Sequence, residues 1–181
     1  MNKSVIKKFD YLTFAILGML SFLITCASPT LVKASEFEDP DSSAFRYMGM
    51  LIAKGGIPYR DAFDNKGPLM YFIQYIGYIL SKDYGVYIME FIFVLSFLIV
   101  SYTISKRFMN SRLSLLSVIL SSAPLGLFFM GNMTEEYSMF FLSTGLLIYI
   151  DYFLFGKQSS VRIIICGFCF GAVLFIRANM A

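Results

Sequence analysis

Twice in this chain, 22 consecutive residues pass without a charged side chain, at residues 11–32 and again at 113–134. A helix needs about 20 apolar residues to cross the hydrocarbon core of a bilayer, so each run is long enough to span one. Three further stretches follow the pattern. Residues 84–105 carry one charge, Glu90. Residues 137–156 carry only Asp151, near their end. Residues 163–176 carry none and are flanked by Arg162 and Arg177, whose long stems can snorkel outward. Charged residues make up 15% of the chain, against about 25% in soluble domains. The expected fold class is therefore all-α integral membrane. It comprises about five transmembrane helices plus juxtamembrane helices in a large first outer loop.

Residues 11–32 also fit a signal peptide, with Val32-Lys33-Ala34 as a cleavage site before Ser35. The apolar runs that follow favour a retained span. Histidine is absent, which excludes a histidine base, a Ser-His-Asp triad and a His-ligated metal. Cys26, Cys166 and Cys169 lie in apolar runs and read as small apolar residues. The pair in Cys166-Gly167-Phe168-Cys169 has no second pair to complete a metal site.

Basic residues prefer cytoplasmic loops. Placing Lys3, Lys7 and Lys8 inside puts residues 33–83 outside after the first span. Residues 67–81, only 15 long, then decide the topology. Read as an interfacial or re-entrant helix opened by Pro68, they leave Lys106, Arg107, Arg112, Lys157 and Arg162 in the cytoplasm. Read as a span, they would turn all of these outward. The first reading gives spans at about 11–32, 84–105, 113–134, 137–156 and 163–176, with interfacial helices at about 40–54 and 68–81. Glu36, Glu38, Asp39, Asp41, Asp61, Asp64, Glu135 and Glu136 then share the outer face.

The outer loop opens with a helix start: Asp39 as cap, Pro40 at the first position, Asp41 and Ser42 in the first turn. Phe45, Met48 and Ile52 follow at helical spacing, and Gly55-Gly56 ends the run. An apolar stripe on a short helix beside a membrane points to the interface. Arg60, Asp61, Asp64 and Lys66 then place two acids and two bases within seven residues. They form either a self-neutralising surface turn or a polar site where a cation holds a phosphate while a carboxylate takes a proton. Asn132 with Glu135 has the spacing of a capping box; alternatively Glu135 or Glu136 lines an outer cavity. Glu90, an acid inside a span, is costly there and is expected to face a cavity.

Residues 39–71 resemble the integral-membrane GT-C glycosyltransferases, in the family-39-like branch that includes protein O-mannosyltransferases and the lipid A aminoarabinose transferase. Asp41-Ser42-Ser43-Ala44-Phe45 is similar to that family's first acidic motif. Phe63-Asp64-Asn65-Lys66-Gly67-Pro68-Leu69-Met70-Tyr71 is similar to its Lys-Pro-Pro-Leu-type stretch, and residues 55–68 fit the bacterial pattern G-x-x-P-Y-x-D-x-F-D-x-K-G-P. Ser42 stands where many members have Glu, and Gly67 replaces the first proline, which leaves the sugar open.

The resemblance implies transfer of a sugar, with inversion, from a polyprenyl-phosphate donor to an acceptor hydroxyl on the outer face. It implies Asp41 as general base and Lys66 and Arg60 as the cations that meet the donor phosphate. Tyr59, Asp61 and Asp64 belong to the same binding loop, and Glu135, Glu136 and Glu90 are possible cavity acids. Asp41's competing role is a first-turn acid favoured by the helix dipole. No cofactor is implied, no metal-ligand spacing stands out and the metal requirement is open. The expected partners are the lipid-linked sugar, a lipid, glycan or protein acceptor and membrane lipids; nothing points to nucleic acid. The expected location is a bacterial cell membrane, multi-pass, with a cytoplasmic N-terminus. Family members run to several hundred residues with about twice as many spans. The 181 residues therefore match an N-terminal part, expected to insert into a membrane without transferring sugar by itself. A surface-polysaccharide polymerase or flippase-type protein, or a transporter, would share part of this pattern.

Overall fold

The computed structural model describes residues 3–31, 39–128 and 131–177. The expectations for Lys33, Glu36 and Glu38, and for a cleavage site before Ser35, lie outside the described residues. Among those described there are seven helices and no strand: α1 (Lys3–Thr25), α2 (Pro40–Ala53), α3 (Pro68–Leu80), α4 (Gly85–Ser105), α5 (Ser111–Phe128), α6 (Thr134–Phe155) and α7 (Ser160–Ile176).

Two apolar runs do not form helices to their ends. α1 stops at Thr25, short of residue 32, because Pro29 lacks an N–H and disfavours helical backbone at Ser28. The chain turns through residues 26–31 instead. α5 stops at Phe128 rather than 134. Gly131 and Asn132 then take left-handed backbone, with φ of 90° and 55°, a conformation that Gly and Asn adopt most readily. α6 begins three residues earlier than the hydropathy suggests, and α7 begins at Ser160, capped by the Ser159 hydroxyl.

α4 and α6, of 21 and 22 residues, are long and apolar enough to cross a membrane. Only 22% of each apolar window is buried within the protein, whereas the core helix of a soluble domain would be mostly enclosed. The outward faces of α5–α7 carry Leu120, Phe153, Ile164 and Phe168, each more than 60% exposed. The polar side chains Ser21, Gln74, Glu90, Asn132, Ser138 and Asp151 are buried.

Two packed clusters hold the helices together. Leu17, Ile24, Val94, Leu98, Tyr102, Val118 and Leu125 join α1, α4 and α5. Phe45, Met48, Met70, Tyr71, Tyr137, Val173 and Ile176 anchor the second cluster, across α2, α3, α6 and α7. The helix ends sort into two groups. At one, the end of α1 meets the start of α4 through Ser28 and Glu90, and the end of α7 meets the start of α6 through Arg177 and Glu135. At the other, Asp151 near the end of α6 takes Arg107, just past α4, and Arg162, in the first turn of α7.

α3 touches the first group at both of its own ends. The Gly67 N–H donates to the Ile176 carbonyl at 2.9 Å, while Gly77 packs on Val86 in the first turn of α4. α3 thus lies across one end of the bundle, and α2 lies on α3. Gly49 makes that approach possible, since a Cβ there would sit 2.6 Å from the Gln74 backbone.

Candidate functional site

Asp39 caps α2, accepting the backbone N–H groups of Asp41 (2.8 Å) and Ser42 (3.3 Å). This places Asp41 at the second helical position, its side chain 57% exposed, and turns Ser42 inward, where it is buried. The loop between α2 and α3 is folded by its own polar groups. The Tyr59 N–H donates to the Ala62 carbonyl, the Ile57 N–H donates to the Asp61 carboxylate, and Tyr59 takes a left-handed φ of 68°. The Tyr59 hydroxyl donates to the Lys66 carbonyl at 2.6 Å. Burial raises the Tyr59 pKa and, together with the nearby Asp64 charge, raises that of Tyr71 further.

This folding delivers Lys66 to α2. Its Nζ lies 3.4 Å from Asp41 Oδ2 and 5.8 Å from the centre of the Phe45 ring, with only 13% of the side chain exposed. Next to it, Asp64 accepts the Asn65 N–H, while Asp64 Oδ2 and the Tyr71 hydroxyl are both buried without a hydrogen-bond partner. Arg60 instead makes a bidentate, exposed pair with Asp61, both bonds at 2.8 Å. That pair holds the Asp61 carboxyl down at about 2. Within the mixed-charge turn, Arg60 and Asp61 neutralise each other, and Lys66 turns away to Asp41.

The α5–α6 corner holds α2 at Ser42, next to Asp41. Asn132, fully buried, accepts from the Gln74 amide (2.6 Å) and from the Tyr137 hydroxyl (2.7 Å), and donates to the Ser42 hydroxyl (2.9 Å). One side chain thereby ties α2, α3 and α6 together, holding α2 at Ser42, the residue after Asp41. The cap of α6 differs from the sequence expectation. Met133 is the cap residue, and Glu136, not Glu135, accepts its backbone N–H at 3.2 Å. Because the left-handed corner turns Asn132 into the core, the capping geometry shifts one residue along.

Glu135 pairs with Arg177, which also donates to the Thr134 hydroxyl. Glu90 is enclosed: one of its oxygens accepts from Ser28 (2.8 Å) and Thr30 (2.6 Å), and the other has no partner. The site thus brings together Asp41, Lys66, Asp64 and Tyr59 on the surface of the bundle end. Glu90 and Glu136 lie inside it, Glu135 sits at its edge, and Arg60 and Asp61 are turned out to solvent.

Sequence reasoning missed Ser42, Gln74, Tyr137 and Arg177 and treated Asn132 as a cap. Two signals were available: the Gly131-Asn132 pair, a left-handed turn signature, and Gln74, the one strongly polar side chain in α3. Among the described residues, no three acidic or cysteine side chains gather in a way that could hold a metal ion. Compared with family models, curated proteins and solved structures, the chain matches none of them.

Proposed function

We propose that this chain is a multi-pass protein of the cell membrane and acts as a glycosyltransferase of the GT-C type. It moves a sugar from a polyprenyl-phosphate donor to an acceptor hydroxyl. α1, α4, α5, α6 and α7 cross the bilayer, and α2 and α3 lie at its outer face. The inverted burial supports the membrane part: large apolar side chains point out and polar ones point in, the arrangement lipid demands. The contacts of both α3 ends with one end of the bundle support an interfacial α3. The basic residues at the opposite end support a cytoplasmic placement there.

The observation that carries the transferase reading is the Asp41–Lys66 pair. In it an exposed carboxylate and a largely shielded ammonium stand 3.4 Å apart, the carboxylate on a helix that Asn132 fastens at Ser42. An alcohol is a poor nucleophile, so a base must take its proton as the new bond forms. Asp41 accepts that proton. The acceptor oxygen bonds to the anomeric carbon, the bond from that carbon to the phosphate oxygen breaks, and the phosphate leaves with the electron pair. Lys66 meets the charge that develops on the phosphate. Docking of a phosphate on Lys66 competes with Asp41 for the ammonium, and so frees the carboxylate when a donor is present.

The test measures turnover and donor binding in the full-length protein. Asp41→Asn preserves size and the helix start but removes the proton acceptor. Turnover should fall by roughly 10²–10⁴-fold, the usual worth of a general base, with polyprenyl-phosphate binding near normal. Lys66→Ala should chiefly weaken that binding. Near-normal turnover in Asp41→Asn would remove Asp41 as base, and indifference of turnover to Asp41, Asp64 and Glu136 alike would end the transferase reading.

A further inference from the structure

At the bundle end opposite Asp41, three cations converge on one carboxylate. Asp151 Oδ1 accepts from Arg107 Nε at 2.7 Å and Asp151 Oδ2 from Arg162 Nη1 at 3.3 Å. The charge of Lys157 reaches the same carboxylate, yet among the described residues no acid lies within ion-pair range of Lys157. Arg107 and Lys157 both lie over the Phe155 ring, at 5.7 and 5.1 Å. One negative charge cannot balance three positive ones, so an excess of positive charge remains here.

This excess stands at the head of a groove. A cleft of about 520 Å³ runs between α6 and α7, walled by Tyr149, Tyr152, Ile163, Cys166 and Phe170, with Lys157 and Arg162 at its mouth. The walls are apolar and face outward, where Tyr149 and Ile163 are more than half exposed. Its floor passes Gly167, where an added Cβ would meet nothing within 4 Å. From Ile163 to Phe170 the groove covers about two helical turns, roughly 10 Å, of the ~15 Å that one leaflet offers. The mouth also lies at the N-terminus of α7, an end that favours anions.

We infer that the α6–α7 groove is a binding site for one anionic phospholipid, its phosphate held by Lys157 and Arg162 and an acyl chain laid along Gly167. Charge complementarity selects the anionic headgroup, and the apolar outward walls select a lipid over a soluble phosphate. The inference rests on the membrane-spanning reading and not on the sugar-transfer chemistry. Basic pockets between helices on the cytoplasmic side suit anionic headgroups for the same reason.

The experiment reconstitutes the protein in phosphatidylcholine nanodiscs doped with spin-labelled phosphatidylglycerol or spin-labelled phosphatidylcholine. The immobilised fraction of each lipid is then compared. Wild-type protein should hold the phosphatidylglycerol label roughly tenfold more strongly, and Lys157→Gln should lower that preference about fivefold, the worth of one charge at such a surface. Gly167→Leu grows into open space, so it should block the groove and abolish the preference without lowering the melting temperature. Equal immobilisation of the two labels by wild-type protein would overturn the inference, as would an unchanged preference in both variants. If alkaline carbonate strips the chain from membranes, the membrane-spanning reading fails, and this site fails with it. Retention in the membrane with no lipid preference refutes this site alone.

Discussion

Replacing Asn132 with alanine tests whether one buried amide fastens α2, and with it Asp41, to the bundle. The substitution removes the acceptor used by Gln74 at 2.6 Å and by Tyr137 at 2.7 Å, and the donor used by Ser42 at 2.9 Å. Gln74 keeps a weaker bond to the Tyr137 hydroxyl at 3.3 Å, so its amide is not wholly orphaned. The buried Tyr137 hydroxyl loses the acceptor for its proton, and the buried Ser42 hydroxyl loses its donor. Leaving a buried polar group unpaired costs about 1–3 kcal/mol, so the two together cost about 2–4 kcal/mol, allowing for overlap. Alanine at a φ of 55° adds about 1 kcal/mol. The total is about 3–5 kcal/mol, which for a chain of this size lowers the melting temperature by roughly 6–20 °C.

The assay uses what the chain already carries. Cys169 is 4% exposed, so once the exposed Cys26 and half-buried Cys166 are replaced by serine, a thiol-reactive fluorogenic dye reports unfolding in detergent through Cys169. Asn132→Gly separates the two costs, because it relieves the backbone while still losing the hydrogen bonds, and it should melt a few degrees above Asn132→Ala. If Asn132→Ala melts within about 2 °C of wild type, the cluster does not hold α2 in place.

Three shorter predictions accompany it. Gly67→Ala would drive a Cβ into the Phe175 carbonyl, a backbone atom that cannot swing aside. It should cost about 1–3 kcal/mol in the same assay, whereas Gly18→Ala, with open space around it, should be neutral or slightly stabilising. Arg60 and the Ile57 N–H lower the Asp61 carboxyl from its ordinary 3.8 to about 2. The folded value lies below the unfolded one, so the turn's stabilisation is complete above pH 3.8 and is lost as pH falls through about 2. The Ile57 amide shift in NMR should titrate near the lower value in wild type and at a higher pH in Arg60→Ala, still below the ordinary value because the Ile57 N–H bond remains. Finally, in a cysteine-free background, Ser43→Cys, Asn65→Cys and Met133→Cys should react with an impermeant maleimide from one side of the membrane, and Asn110→Cys and Gln158→Cys from the other; labelling of all five from one side would refute the spanning arrangement.

The helical class was legible because long apolar runs admit little else, and α2 was legible to its ends because Asp39-Pro40 starts it and Gly55-Gly56 stops it. The pairing of Asp41 with Lys66 was not. Each residue stood out by type and neighbourhood, but their contact depends on α2 lying against α3. That approach hangs on Gly49 fitting over Gln74, and no periodicity in either helix announces it. The buried cluster was hidden for a related reason. Window-averaged hydropathy dilutes a single Gln74 or Asn132 among its apolar neighbours, although such a residue decides which face of the helix turns inward.

The end of α1 shows the same competition resolved in energy. Hydropathy alone would carry the helix on through residue 32, and nothing in that run opposes an apolar surrounding. Glu90 opposes it from 60 residues away. A carboxyl that is 1% exposed costs several kcal/mol unless its oxygens are bonded, and hydrogen bonds to such a group are worth about 1.5–3 kcal/mol each. Continuing α1 through residues 26–31 would gain less than about 1 kcal/mol per residue in intrinsic preference, and Pro29 would remove most of that gain. Turning after Thr25 lets Ser28 and Thr30 both reach Glu90 Oε2, so the tertiary bond outweighs the local helix. Pro29 and Glu90 therefore act together: the proline weakens the helix beyond Thr25, and the bonds from Ser28 and Thr30 to Glu90 favour the turn that replaces it.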